Sequence, residues 1–512
     1  MLEQLAAGFG SALTLYNMLF IVLGIITGIV FGAVPGLSSI TGLTIMIPIT
    51  FYLSPVTAIA FLVGITKGGT SGGAIPAILI NAPGSSEAVA TTRDGYPLAL
   101  KGKPIKAMRM ALYSSVFGDT CSDVILILLA APFAKVALQF GPAEITTLIL
   151  LAFTMIASLS GQSLLKGLIA TFLGVFLATI GLDPDIGTPR MTFGVVDLYD
   201  GISLNALAIG TLALGSVISQ LFDIWRNPGD SSRSFPSFDK SEQGITFSEF
   251  RKCLKTLLRS SYIGTFVGML PGLGVTLAAF LGYAAAKSAS KHPEKFGTGT
   301  LEGIAATEAA NSAVCGANLI PTIAIGIPGN LAAALLIGAF MIHGITPGPF
   351  MMQKSGNMIY ALFASMLMAN AVHAIIGRYG IPVWVQVLKA PKGIILPAVI
   401  ILCVVGVYMP ASSIFEVGVM FVFMAIGYIM RKLSYSLVSL FMGFMLGPML
   451  EHSLRQTLQL YGNVGVLFTR PISLPLMAIT LFLILRTVFK GMRRKPRIED
   501  SVSVPEKRSN ED

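Results

Sequence analysis

Two stretches of this chain gather small polar residues, glycines and prolines inside strongly apolar surroundings. The first, TKGGTSGGAIPAILINAPGSSEA, supplies Lys67, Thr70, Ser71, Asn81, Ser85 and Ser86. The second, TEAANSAVCGANLIPTIAIGIPGN, supplies Thr307, Asn311, Ser312, Asn318, Thr322 and Asn330. Proline removes a backbone donor and glycine costs backbone entropy, so both runs interrupt any helix that contains them. Inside a bilayer the freed N–H and C=O groups must find protein, water or ligand. Half-helix N-termini favour carboxylates, whereas the opposite ends and unwound carbonyls favour Na⁺. Neutral hydroxyls and amides add hydrogen bonds without fixing a permanent buried charge, which permits release as well as binding.

These residue types place substrate contacts at Lys67, Thr70, Ser71, Asn81, Ser85, Ser86, Asn318 and Asn330. They place a Na⁺ position near Gly36, Gly84, Asn311 and Gly329, with H⁺ as the other coupling ion. Pro35, Pro76, Pro83, Pro271, Pro321 and Pro328 shape the backbone. A packing role competes for each small residue, because Gly, Ser and Thr let transmembrane helices approach closely. Lys67 is either an intramembrane functional cation or a side chain reaching for the interface.

Other ionisable groups are less specific. Asp119 and Asp123 in FGDTCSDV suit a cation, a proton relay or helix packing, and Glu302 and Glu308 flank the second run. Asp183 and Asp185 read as loop residues. The four histidines form no HExxH, the four cysteines no CxxC, and no phosphate loop or nucleophile motif is present. These absences argue against an enzyme, against a bound cofactor and against ATP-driven transport by this chain alone.

The elements that hold these residues must be membrane helices. Of 512 residues, 54% are apolar and 12% charged, with a mean hydropathy of +0.77. A soluble chain carries roughly 25% charge. Apolar windows of bilayer-spanning length fall at 15–34, 111–133, 145–159, 164–182, 204–222, 262–285, 358–376, 394–408, 414–430 and 474–488. They predict an all-α polytopic membrane protein with about ten to twelve transmembrane helices plus the two broken, re-entrant segments, 67–86 and 311–330. The net charge of +10 is no nucleic-acid signal, since it concentrates at 93–109, 226–259, 287–295 and 486–497, as cytoplasmic loops do. The N-terminal MLEQLAAGFGSALTLYN has no basic residue before its apolar run, which speaks against a cleaved signal peptide and for an outward-facing N-terminus.

The chain also echoes itself. GAVPGL at 32–37 returns as GMLPGL at 268–273, and Pro76 with Pro83-Gly84 returns as Pro321 with Pro328-Gly329 at the same internal spacing. The organisation expected is a first membrane repeat over 1–223, a cytoplasmic linker over 224–259, a second repeat over 260–489 and a disordered cytoplasmic tail over 490–512. In the first half the basic cluster follows the second motif, and in the second half it lies between the two motifs. Equivalent loops then face opposite sides, an inverted-topology repeat of the kind secondary transporters use. A parallel repeat is the alternative, because few charges decide the matter.

GAVPGL, the long string KGGTSGGAIPAILINAPGSSEAVATTRDGYPLALKGKP, GMLPGLG and IPTIAIGIPGN together resemble the large membrane subunit of the tripartite tricarboxylate transporter family, over roughly 15–488. The resemblance implies a carrier of the bacterial inner membrane that imports citrate or other carboxylates on an ion gradient, usually sodium. It implies two partners, a periplasmic substrate-binding protein and a small four-helix membrane subunit, and an elevator-type movement. A passive channel or a docking scaffold for the binding protein is the competing class.

Overall fold

The computed structural model describes residues 2–34, 37–159, 164–184, 186–226, 244–270, 275–348, 350–388 and 392–493. Pro35, Gly36, Asp185, Pro271, most of the linker and the tail from 494 lie outside them. The first part of the chain forms α1 (Leu2–Ala12), α2 (Leu15–Ala33), α3 (Ser39–Met46), α4 (Pro55–Gly72), α5 (Ala74–Ile80), α6 (Thr92–Leu100), α7 (Pro104–Ala137), α8 (Pro142–Leu159), α9 (Leu164–Ala178), α10 (Leu204–Ala208) and α11 (Gly215–Arg226). The second forms α12 (Phe247–Gly268), α13 (Val275–Ala289), α14 (Leu301–Ala317), α15 (Leu319–Ile325), α16 (Leu331–Ile342), α17 (Met351–Lys354), α18 (Gly356–Leu388), α19 (Lys392–Ala411), α20 (Ile414–Lys432), α21 (Leu437–Tyr461) and α22 (Ser473–Arg493). One short ribbon, β1 (Gly181–Leu182) with β2 (Pro189–Arg190), pairs antiparallel with Gly181 opposite Arg190.

Among the described residues, eight helical stretches are long and apolar enough to cross a bilayer, and six shorter apolar helices accompany them. The protein is therefore an all-helical, multi-pass membrane protein. One expected span needs correction. The window 262–285 is not a single helix: α12 ends at Gly268, and α13 starts at Val275. A proline at 271 has no N–H to continue the ladder and disfavours helix in the residue before it. Residues 247–259, the amphipathic end of the expected linker, are the first turns of α12, opened by a capping box between Thr246 and Glu249. At the other end α22 continues through Arg493, past the expected start of the tail.

Glycine sets the tightest contact. Gly24, Gly28 and Gly32 recur every fourth residue on α2, facing Gly64, Gly68 and Gly72 on α4. A Cβ on Gly28 would stand 2.2 Å from the Ile65 carbonyl oxygen, and one on Gly68 2.3 Å from that of Ile25. Only bare backbone fits there. In the second half, α12 meets α14 the same way: a Cβ on Gly264 would lie 2.1 Å from the Ala310 carbonyl oxygen. The parts are not separate bodies, since α7 packs along α14 and α18 packs against α2 and α4.

Asp183 is more than a loop residue. It is buried and pairs with Arg455 at 2.7 Å, while Arg190 pairs with Glu451 at 2.6 Å, tying the ribbon to α21.

Candidate functional site

Both polar stretches form the same object, a helix with a break, a short second helix and a tight return. α4 opens at Ser54, whose hydroxyl accepts from Thr57 N–H, with Pro55 at its first position. It breaks at Gly73, resumes as α5, and stops at Asn81, whose φ of 53° is left-handed. α14 breaks at Asn318, resumes as α15, and stops at Gly326 with φ 75°. Pro76 and Pro321 each sit at the third position of the short helix, where a missing N–H costs nothing. Gly84 then returns onto the first break: its N–H donates to the Gly73 carbonyl at 3.2 Å, and a Cβ on it would lie 2.0 Å from the Gly32 carbonyl oxygen. Gly329 returns onto the second, where a Cβ would lie 2.7 Å from the Asn318 Cβ and 2.9 Å from the Gly268 carbonyl oxygen. Gly32 and Gly268 are the first residues of the two PGL motifs, so the echo in sequence is an echo in contacts.

Between these returns lies a cavity of about 500 Å³. Its walls include the first residues of four helices: Ser39 and Ile40 of α3, Val275 and Thr276 of α13, Leu331 and Ala332 of α16, and Val438 of α21 with its cap Ser436. A helix start carries partial positive charge, and at α3, α16 and α21 the caps Ser38, Asn330 and Ser436 take up the third N–H and leave the first two without an intrahelical partner. Asn330 caps α16, its Oδ1 accepting from Ala333 N–H at 2.9 Å. Thr66, Thr70 and Ser86 add hydroxyls, and Glu87 adds a carboxyl. A second cavity of about 470 Å³ adjoins it through Ile40, Ser86, Leu331 and Val438, and it is lined also by Ser85, Gly84 and Arg431, whose guanidinium donates to the Leu212 carbonyl at 3.2 Å.

The expected site residues divide accordingly. Thr70, Ser86, Gly329 and Asn330 line the first cavity, and Gly84, Ser85 and Ser86 the second. Ser85 Oγ, Asn318 Oδ1 and both side-chain polar atoms of Asn311 are buried without a hydrogen-bond partner. Asn81 is exposed and turns the chain. Lys67 does not face the cavity. Its ammonium donates to Asp123 Oδ2 and to Asn370 Oδ1, each at 2.7 Å, with Asp119 Oδ1 at 3.6 Å. Ser71 Oγ lies 2.6 Å from His373 Nε2 on α18. Of the two glutamates on α14, Glu302 accepts from Thr256 and Ser290, and Glu308 from Thr91 and Ser115. Sequence reasoning missed the α3, α13 and α21 walls and Arg431. The Ser38-Ser39 pair after the first PGL was their one visible signal, as a helix cap.

Residues 18–442 match the model of the Tripartite tricarboxylate transporter TctA family. The chain belongs to that family. A relative from Agrobacterium vitis, described as "Uncharacterized 52.8 kDa protein in TAR-I ttuC' 3'region", is 34% identical over 507 residues, 99% of each chain. A second from the same organism, "Uncharacterized protein in TAR-II ttuC' 3'region", is 34% identical over 233 residues, 45% of this chain and 96% of its own. No solved structure matches. The TctA family model spans both polar stretches and the starts of all four helices around the cavity, and membership makes this chain a membrane protein of a transporter family rather than an enzyme.

Proposed function

We propose that the chain is the large transmembrane subunit of a binding-protein-dependent secondary carrier that imports citrate-like tricarboxylates or related carboxylates. The observation that carries this reading is the convergence of four helix N-termini on one cavity. Free amides and hydroxyls bind carboxylates there without a lysine or arginine among the described residues of the wall, and Arg431 edges the adjoining space. A volume of about 500 Å³ lies inside the range of small-molecule pockets, roughly 300–1,000 Å³.

Glu87 in the same wall supports cation coupling. Beside a polycarboxylate a buried carboxyl has to carry a proton or be joined by a cation, and sodium is the expected ion. The buried, unpartnered amide of Asn311 and the glycine returns at Gly84 and Gly329 are its proposed contacts. The paired breaks support two repeats in inverted orientation, moved as an elevator, in the bacterial inner membrane. A periplasmic binding protein and a small four-helix membrane subunit are the proposed partners.

Uptake of labelled citrate into proteoliposomes holding all three components tests the reading, with and without an inward Na⁺ gradient. Uphill accumulation that needs both the gradient and the binding protein supports it, whereas a gradient-independent leak favours a channel. Cysteines placed at Lys103 and Lys291 test the inversion, since both should label from the cytoplasmic side.

A further inference from the structure

Where α4, α7 and α18 cross, three ionisable side chains are sealed together. Lys67, Asp119 and Asp123 are each 1% exposed. Lys67 is committed to Asp123 and Asn370, and Asn370 Nδ2 donates to Asp123 Oδ2 at 2.8 Å. Asp119 is held more loosely: neither of its buried oxygens has a donor within 3.5 Å, and its one charged partner, Lys67 Nζ, stands at 3.6 Å. With all three groups charged, the cluster sums to one net negative charge, and the uncompensated carboxylate is the one with no donor. A buried carboxylate in that position is strongly disfavoured as an anion.

We propose that Asp119 is a proton-binding site of the transporter, loaded and unloaded beside the carboxylate cavity. The step adds H⁺ from water to one Asp119 oxygen, converting COO⁻ to COOH and taking the cluster from one net negative charge to neutral. Return of the proton to water on the other side restores the anion. Sodium is the poorer occupant. The ammonium of Lys67 already holds the cation position, and a hard cation needs several oxygen ligands that the surrounding helical backbone does not offer.

The groups that face Asp119 are Lys67 from α4, Asp123 from its own helix and Cys315 from α14. His373 of α18 lies beyond Lys67, bound to Ser71. Of the carboxylates that other helices bring to α7, Glu308 is held by Thr91 and Ser115, Glu302 by Thr256 and Ser290, Glu249 by Lys106, and Asp94 by the amides of Gly297, Gly299 and Thr300. Among the described residues Lys67 is the one cation that acts on Asp119, although α12 also carries Arg251, Lys252, Lys255 and Arg259, α6 Arg93 and α18 Arg378. α5 and α15 bring none. The cluster also communicates with the cavity. Thr70 lies one turn beyond Lys67 on α4, its Oγ1 is 3.5 Å from Cys315 Sγ, and both line the cavity wall.

The test is an infrared pH titration of the purified full-length chain, following the C=O stretch of neutral carboxylic acid in sodium and in choline buffer. Asp119→Asn should remove one titrating carboxyl per chain, with the signal unaffected by sodium. An unchanged signal in Asp119→Asn overturns the proposal, and so does loss of the wild-type signal on adding sodium, which would make the site a sodium site. If Asp119→Asn fails to fold, Asp119→Glu should shift the titration midpoint, and an unmoved midpoint refutes the assignment. The measurement uses no substrate, so its failure leaves the carboxylate reading standing, and failure of that reading leaves the proton site standing.

Discussion

Gly28→Ala adds a single methyl at the α2–α4 seam, and its effect can be worked from distances. The new Cβ would stand 2.2 Å from the Ile65 carbonyl oxygen and 2.7 Å from Gly69 N. Both neighbours are backbone, so no side chain can rotate away. Reaching an ordinary contact of about 3.4 Å requires the helices to part by roughly 1.2 Å, and overpacking of this kind costs about 1–3 kcal/mol. Gly10→Ala is the matched control: Gly10 lies in α1 with nothing within 4 Å of its Cβ position. That substitution should be neutral or stabilise by up to about 1 kcal/mol through helix propensity. Unfolding both variants and wild type in mixed micelles with added denaturing detergent compares the free energies. Gly28→Ala should unfold first, and its uptake should fall, because Thr66, Lys67 and Thr70 ride on the same stretch of α4. If Gly28→Ala is as stable as Gly10→Ala, the backbone-to-backbone seam described here does not exist.

Three further outcomes follow from individual residues. Asn81→Ala forces an alanine into a left-handed turn and should lose about 1–2 kcal/mol in the same unfolding assay, whereas Asn81→Gly should be tolerated, as glycine already holds the matching position at Gly326. Asn330→Ala should lose about 1 kcal/mol with the α16 cap; Asn330→Asp should keep that stability yet depress carboxylate uptake, because it puts a negative charge in the cavity wall. Lys67→Met should destabilise by about 3–5 kcal/mol by leaving buried carboxylates unpaired, and adding Asp123→Leu should recover most of the loss; no recovery would mean that Lys67 is held by something other than its carboxylate partners.

Local grammar was legible, and distant pairing was not. Pro76, Pro83-Gly84 and their echoes at Pro321 and Pro328-Gly329 announce a broken helix because proline and glycine act on their own backbone. The left-handed stop at Asn81 was not legible: an asparagine in that run reads equally as a ligand contact, and only the backbone at φ 53° shows that it turns the chain. Lys67 could not be resolved this way. Its partners Asp123 and Asn370 lie 56 and 303 residues away, and only packing decides between an ion pair and a substrate contact. The window 262–285 was misread because hydropathy sums over a break that one proline makes. α21 went unrecognised as a span because Glu451, His452 and Arg455 dilute its apolar signal.

The glycine returns explain why packing and binding need not be rival roles for these residues. Gly84 touches the Gly32 carbonyl and the Gly73 break, and it also lines the second cavity. Gly329 touches Asn318 and the Gly268 carbonyl, and it lines the first. Each close approach holds the segment that follows, the 3₁₀ turn Ser86–Val89 with its cap Ser85 or α16 with its cap Asn330, against the cavities. A side chain at either glycine would lift that segment away and move the donors with it. Under the proposed carboxylate site, the smallness required for packing is thus also the condition for presenting backbone charge to a ligand. A break in a helix here acts through what it allows to come close, and its own unsatisfied groups are the lesser part of the site.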